Sequence, residues 1–331
     1  RRELASDAAR VEWVRKLVYP GTREYKFAEV LNGGAGFVQG IDTTARVKQN
    51  VDSNPPSHAM SRFRAAAMAR ELMRTSPTLL LQMKGVNILT DPHFSGRASP
   101  VDFAGPKRVV PAAMSIDELP PIDVVVISHN HYDHLDAASV IKLNKRSDGK
   151  TLFLVPLGLK KWFNARKIEN VVEMDWWDER NELGVKFAFT PMQHWSKRTL
   201  WDTNQALWGG WLFRAENFKF IFIGDSGYSK DFAEIYRRYG AMDFAAVPVG
   251  HYEPRWFMKM QHANPPEALQ MVQDLHATQA IGVHWGTFDD LTDESLYDPP
   301  KSLAAALTDA KQPLDKLTLM THGETRKLAI K

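Results

Sequence analysis

An α/β fold is the architecture this sequence predicts, on three observations. Short, continuously apolar, β-branched or aromatic runs recur at 123–128, 151–155, 185–190, 218–223, 244–247 and 280–283. Runs of that length read as strands buried on both faces. Stretches of helical composition separate or follow them at 137–143, 159–165, 231–239, 266–275 and 302–310. Such mixing belongs to an α/β domain. Finally, His and Asp residues cluster immediately behind several of the strands, where a rigid scaffold presents chemistry.

The elements follow in order. Residues 1–57 read as an irregular arm with a short helical piece at 11–18. Their Asn32-Gly33-Gly34-Ala35-Gly36 lacks a following Lys-Ser/Thr, so it predicts a flexible turn and not a phosphate loop. The Ala-rich stretch 62–73 predicts a helix. Segments 78–83 and 86–89 flank Lys84-Gly85 as a hairpin. Asp136 is placed to cap the helix beginning at Ala137. Pro266 sits in a helical first turn, where a missing N–H costs little. The segments 317–321 and 325–330 read as a closing strand pair.

Composition narrows the function classes. The 331 residues are 44% apolar and 24% charged, ordinary for a soluble chain with a full core. A net charge of only +3 gives no basic stripe, so no nucleic-acid partner is expected. With no cysteine, disulfides and thiolate metal sites are excluded. Any metal is held by His, Asp and Glu, a donor set suited to zinc, iron or manganese. No apolar run reaches the roughly 18 residues of a membrane span. The expectation is a soluble or peripherally membrane-associated chain in an undetermined compartment. Its start at Arg1-Arg2 predicts that a leader or lipid anchor has been removed upstream.

The sharpest motif is His129-Asn130-His131-Tyr132-Asp133-His134, directly after the 123–128 strand. A lone His is usually a surface or satisfied core residue. Three His and an Asp packed behind a buried strand are different, because desolvating them without a cation costs several kcal/mol. They cannot all reach one ion without strain, so they split between two: His129 and His131 on one, Asp133 and His134 on the other. Three further strand ends supply His194, Asp225 and His284. Asp225 lies among glycines in Gly224-Asp225-Ser226-Gly227, where a close approach to ions is open to it, and a carboxylate can bridge two cations. Each of these three motifs is weak alone; together they complete a seven-residue, two-metal site. A water shared between two such cations loses its proton near neutral pH.

The pattern His-x-His-x-Asp-His, then His, Asp and His, resembles the metallo-β-lactamase superfamily. A finer resemblance, to the N-acyl-phosphatidylethanolamine-hydrolysing phospholipase D family, covers about residues 78–325. It is carried by Asp91-Pro92-His93-Phe94-Ser95-Gly96-Arg97, Gly105-Pro106-Lys107-Arg108, Glu118-Leu119-Pro120-Pro121, Gln193-His194-Trp195, Glu253-Pro254-Arg255-Trp256-Phe257-Met258-Lys259 and His284-Trp285-Gly286-Thr287-Phe288. The superfamily implies an αββα sandwich, here as a domain over 76–331 behind an irregular N-terminal extension over 1–75. The family implies one zinc on His129, His131 and His194. It implies a second on Asp133, His134 and His284, with Asp225 bridging. Asp133 and His262 are then the catalytic residues, His262 facing the substrate phosphate. Arg255, Trp256 and Phe257 are expected at the substrate, although an ordinary ion pair is an equal reading for Arg255. Most other aromatics are expected in the core. The resemblance also implies a phospholipid substrate, peripheral membrane contact and a homodimer. It departs at Ser76, which stands where the family carries a His. Hydrolysis of another ester, lactone or β-lactam, or a non-catalytic module with a structural metal, are the rival expectations.

Overall fold

Alternation along each strand decides which layer a side chain joins. In the run Val124-Val125-Val126 the outer two residues belong to one core cluster and the middle one to another. Ile88 and Leu89 divide in the same way. So do Phe187 and Ala188, Phe220 and Ile221, and Ala246 and Ala245. Strands with apolar residues on both faces require cover on both faces, and the computed structural model shows how it is given. It describes residues 77–288, 292–320 and 323–328. The helical pieces expected at 11–18 and 62–73, the glycine-rich turn and Ser76 lie outside them.

Two sheets stack face to face. The first has the order β1 (Leu80–Met83), β2 (Val86–Thr90), β3 (Val124–Val126), β4 (Leu152–Pro156), β5 (Val171–Met174). The β1–β2 hairpin turns on Lys84 and Gly85, both at positive φ, and the other neighbours pair in parallel. The second sheet runs from β12 (Leu317–Leu319) through β11 (Gln279–Val283), β10 (Phe244–Pro248), β9 (Phe218–Phe222), β8 (Gly210–Ala215) and β7 (Val185–Thr190) to β6 (Glu179–Glu182). Its β6–β9 portion is antiparallel and its β9–β12 portion parallel.

The middle core is largely aromatic, with Phe187, Phe189, Trp211, Phe213, Phe220 and Phe222 facing Ile88, Val124, Val126 and Leu154. Helices α1 (Ala137–Arg146) and α2 (Lys160–Asn164) cover the first sheet through Val140, Leu143 and Phe163. Helices α3 (Asp231–Tyr239), α5 (Pro265–Asp274) and α6 (Asp298–Asp309) cover the second through Phe232, Ile235, Leu269, Val272, Leu303 and Leu307. A one-turn helix, α4 (Arg255–Met258), precedes α5. The layers are therefore αββα. Asp136 caps α1 by accepting from the Ala138 N–H, and Asn264 with Glu267 forms a capping box on α5.

The structure departs from the sequence expectation in four places. Strand β5 is only four residues long. Strand β6 is Glu-Arg-Asn-Glu, whose charges suit the exposed sheet edge it occupies and hide it from any apolar pattern. Strand β8 begins at Gly210, directly after Gly209, and this glycine pair carries no strand signal. The closing strand pair is not formed: β12 pairs in parallel with β11, and the described residues 323–328 have no strand.

Two bonds fix the sheets to each other beside the strand ends. Trp211 Nε1 donates to the Ile127 carbonyl at 2.9 Å, and the Gly209 N–H to the Ser128 carbonyl at 3.0 Å. A Cβ at Gly209 would press on the Thr190 carbonyl and lie 2.7 Å from Phe189 Cζ. Gly209→Ala is therefore expected to cost about 1–3 kcal/mol through overpacking. That lowers Tm by about 2–4 °C per kcal/mol. Gly96→Ala, with nothing within 4 Å of the added carbon, should leave Tm unchanged. Thermal melts of the two variants check both expectations.

Candidate metal centre

Strands β2, β3, β7, β9, β10 and β11 all release their chains toward one edge of the sandwich. Asp91 follows β2, and the 127–136 loop follows β3. His194, Asp225, His251 and His284 follow β7, β9, β10 and β11. His262 arrives from the turn between α4 and α5. The β9 exit comes so close to the opposite sheet that a Cβ on Gly224 would lie 2.6 Å from the Ser128 Cβ, and Gly224 also has φ 69°. Glycine alone meets both conditions at that position.

The seven residues singled out by the sequence come together as two groups. His129, His131 and His194 form one; Asp133, His134, Asp225 and His284 form the other. In the first, His131 Nδ1 is 2.9 Å from His129 Nε2 and 3.3 Å from His194 Nε2. In the second, His134 Nε2 is 2.9 Å from Asp133 Oδ2, 3.1 Å from Asp225 Oδ2 and 3.1 Å from His284 Nε2. Asp225 Oδ2 also lies 3.8 Å from His129 Nε2 and 3.7 Å from His194 Nε2, which puts this carboxylate between the groups.

The outer hydrogen bonds fix where the lone pairs point. The Gln261 carbonyl only accepts, so His194 Nδ1, 2.9 Å away, carries the proton and leaves Nε2 bare. Ser128 Oγ gives its single hydrogen to Asp91 Oδ2 at 2.6 Å. It must therefore accept from His129 Nδ1 at 2.9 Å, which bares His129 Nε2. Asp91 Oδ2 accepts from His134 Nδ1 at 2.7 Å as well, while Oδ1 takes the Ser128 N–H at 2.7 Å. One buried carboxylate thus orients an imidazole in each group. This is how ligand tautomers are commonly set in metal sites.

Electrostatics gives the same reading. Burial pushes His131 down to about 3 and His194 to about 4, and holds His129 well below its ordinary range, so all three are neutral, ligand-ready imidazoles. Burial opposes a charge on His134 too, but Asp225, Asp133 and Asp91 outweigh it and raise the imidazole well above its usual value. Burial pushes Asp133 and Asp225 upward, yet the neighbouring His134 and His284 bring both below the usual carboxylate range. Without a cation, His134 Nε2 must hold a proton to face two carboxylates. A divalent ion meets the same need. Tetrahedral donors around zinc at ~2.0–2.1 Å stand about 3.3 Å apart. The observed spacings of 2.9–3.3 Å within each group are close to that. The donor set fits divalent metals.

The other expected residues take up varied places. His262 is buried over both groups, its ring 5.2 Å from that of His194 and 5.7 Å from that of His284. It also forms a donor group with His194 and Asp225, but its Nδ1 is 4.0 Å from Asp225 Oδ2, farther from that carboxylate than the nearest nitrogens of His129, His134, His194 and His284. The Arg255 guanidinium pairs with Glu267 at 2.6 Å and donates to the carbonyls of Tyr252 and His262 at 3.1 and 2.8 Å. The expected ion pair is formed, and Arg255 braces the chain that carries His262. Trp256 is 85% exposed, and Phe257 is half-buried beside it. Trp208 lies in the core, where most other aromatics are expected.

Sequence reasoning missed three contributors. Asp91 acts through partners distant in the chain, and Ser128 links it to the adjacent His129. His251 follows β10 as a single His after a glycine, at the same strand-exit position as the recognised ligands. Asp91, His251 and His284 all have positive φ, of 34°, 62° and 61°. Non-glycine residues in that region cost about 1–3 kcal/mol each and concentrate at functional sites.

The chain is similar to known proteins in sequence and in fold. The Beta-lactamase superfamily domain matches over residues 86–285. The N-acyl-phosphatidylethanolamine-hydrolyzing phospholipase D 1 of Caenorhabditis elegans is 39% identical over 254 residues, covering 74% of this chain and 71% of that protein. The mitochondrial N-acyl-phosphatidylethanolamine-hydrolyzing phospholipase D of Saccharomyces cerevisiae is 38% identical over 231 residues, covering 66% of this chain and 47% of the yeast protein. Among solved structures, an isothiocyanate hydrolase from Delia radicum gut bacteria aligns with a TM-score of 0.61 at 18% identity, over 78% of this chain and 98% of that one. A metallo hydrolase from Ignicoccus hospitalis aligns with a TM-score of 0.56 at 19% identity, over 78% and 98%. These two share the fold. The chain is a metal-dependent hydrolase that belongs to the beta-lactamase superfamily and, within it, to the family of N-acyl-phosphatidylethanolamine-hydrolysing phospholipases D.

Proposed function

We propose that this chain hydrolyses N-acyl-phosphatidylethanolamine or a related glycerophospholipid, as a zinc-dependent phosphodiesterase of phospholipase D type. The observation that carries the reading is the pair of donor groups with Asp225 between them. The names of the nematode and yeast relatives support the substrate class. His129, His131 and His194 would hold one zinc, and Asp133, His134 and His284 the other, with Asp225 shared. Bound there, two zinc ions supply Lewis acidity that acidifies water and offsets phosphoryl charge.

The chain's own residues do the rest. Asp133 keeps Oδ2 against His134 and His284, while its buried Oδ1 has no hydrogen bond. Oδ1 is therefore the oxygen that accepts from the attacking water and orients it. Water adds to phosphorus, the bond from phosphorus to the ethanolamine oxygen breaks, and phosphatidic acid and an N-acylethanolamine leave. His262, above both groups, offers an N–H to the phosphate oxygens. Arg255 holds His262 in place through its carbonyl.

Exposed Leu200 and Trp201, on the loop that follows His194, and Trp256 and Met260, on and just after α4, supply an apolar rim for a lipid surface. Among the described residues, no helix is long and apolar enough to cross a membrane. Contact with lipid is thus peripheral in this reading.

Mass spectrometry of vesicles containing N-acyl-phosphatidylethanolamine should show both products; a chain that releases neither but opens a lactone or β-lactam would sink the phospholipase reading. Asp133→Asn should lower kcat by roughly 10²–10⁴-fold, the range for losing a proton-handling group. Asp91→Asn keeps the side chain's shape but cannot accept from both His134 and Ser128 as the carboxylate does. It should weaken zinc affinity by about 10–100-fold, measured by competition with a chromogenic chelator.

A further inference from the structure

Two half-buried arginines lie outside the donor groups and take no part in the reaction above. Arg108 ends the Gly105-Pro106-Lys107-Arg108 motif, and Arg198 follows His194 by four residues. Burial pushes both guanidiniums down to about 10, so both stay charged at neutral pH. Taking a charge out of water without a carboxylate beside it is costly. Among the described residues neither guanidinium forms an ion pair; their hydrogens go to loops that carry metal ligands.

Arg198 serves the first group. Its Nη1 donates at 3.0 Å to the carbonyl of Asn130, the residue between His129 and His131. Its guanidinium lies 4.1 Å from the Tyr132 ring and 4.9 Å from that of Trp162 on α2. Its carbonyl accepts from the Tyr132 hydroxyl at 2.8 Å, and its N–H donates to Asp202 at 2.9 Å. The loop after β7, which carries His194, is thereby bound to the loop after β3, which carries His129 and His131.

Arg108 serves the second. Its Nη2 donates to the carbonyl and Nδ1 of His93 at 2.8 and 2.9 Å, and its Nε to the Ser95 carbonyl at 3.0 Å. Its guanidinium lies 4.9 Å from the Phe288 ring, to which His93 stands edge-on at 5.2 Å. The next residue, Val109, donates its N–H to the Thr287 carbonyl at 2.8 Å. The chain after β2 is thereby bound to residues 287–288, just beyond His284. Asp91 has bonds of its own to Val126 and Ser128, so Arg108 acts chiefly on the loop of His284.

A planar guanidinium holds its acceptors in a fixed geometry that a flexible side chain does not reproduce. We propose that Arg198 and Arg108 are positioning residues for one metal site each: Arg198 for the site of His129, His131 and His194, and Arg108 for the site completed by His284. The proposal rests on the two-metal reading of the donor groups and not on the identity of the substrate.

Cobalt(II), loaded into the full chain in place of zinc, tests this without turnover. Cobalt-bound imidazoles give strongly shifted, exchangeable N–H signals in proton NMR, three from the first group and two from the second. Arg198→Met should weaken cobalt binding by about 10–100-fold at the set of three, the range for losing a partner that orients a ligand, and leave the set of two unchanged. Arg108→Met should do the reverse. An arginine that only stabilises the fold would lower Tm and weaken both sets together, and that result overturns the proposal. So do unchanged affinities at both sets. If either variant fails to fold, Arg198→Lys or Arg108→Lys, which keeps the charge and loses the planar fork, is read in the same way. Two sets of signals in the unaltered chain uphold the two-metal reading even where the variants defeat the proposal; the lack of a second set defeats both.

Discussion

Three carboxylates, those of Asp91, Asp133 and Asp225, lie within 3.1 Å of the single imidazole of His134, in a space closed to solvent. Charges of one sign are not gathered in a low dielectric unless something positive holds them. A proton on His134 meets part of that demand, and divalent cations meet it fully. Much of the surrounding architecture follows from keeping this cluster together. The backbone is held at positive φ at Asp91 and His284, glycine is required at 224, and hydroxyl and carbonyl partners fix the imidazole tautomers. Those costs are met by the large aromatic core between the sheets.

What was legible in the sequence follows from range. The strand Val124–Val126 could be read because both its faces are buried, so apolar character is continuous. The cluster from His129 to His134 could be read because its ligands crowd into one loop. Strand β6 could not, since its four residues carry charge and only pairing with β7 makes it a strand. The role of Asp91 could not either. It depends on Ser128, 37 residues away, and His134, 43 residues away, and no local pattern encodes such a bond.

Arg255 illustrates a different limit. Its sequence neighbourhood suits a substrate-facing cation and an ion pair equally well. The ion-pair partner is Glu267, twelve residues later on α5, which also completes that helix's capping box. One side chain thus serves the helix start and the arginine together, and through the arginine it reaches the carbonyl of His262.

Each donor group draws from both sheets. His129 and His131 leave the first sheet and meet His194 from the second; Asp133 and His134 leave the first and meet Asp225 and His284 from the second. Neither half of the sandwich assembles a full coordination set by itself. Tight capture of an ion is therefore postponed until the halves have docked, and once captured the ion acts as a clasp across the seam, opposing any fluctuation that would part them.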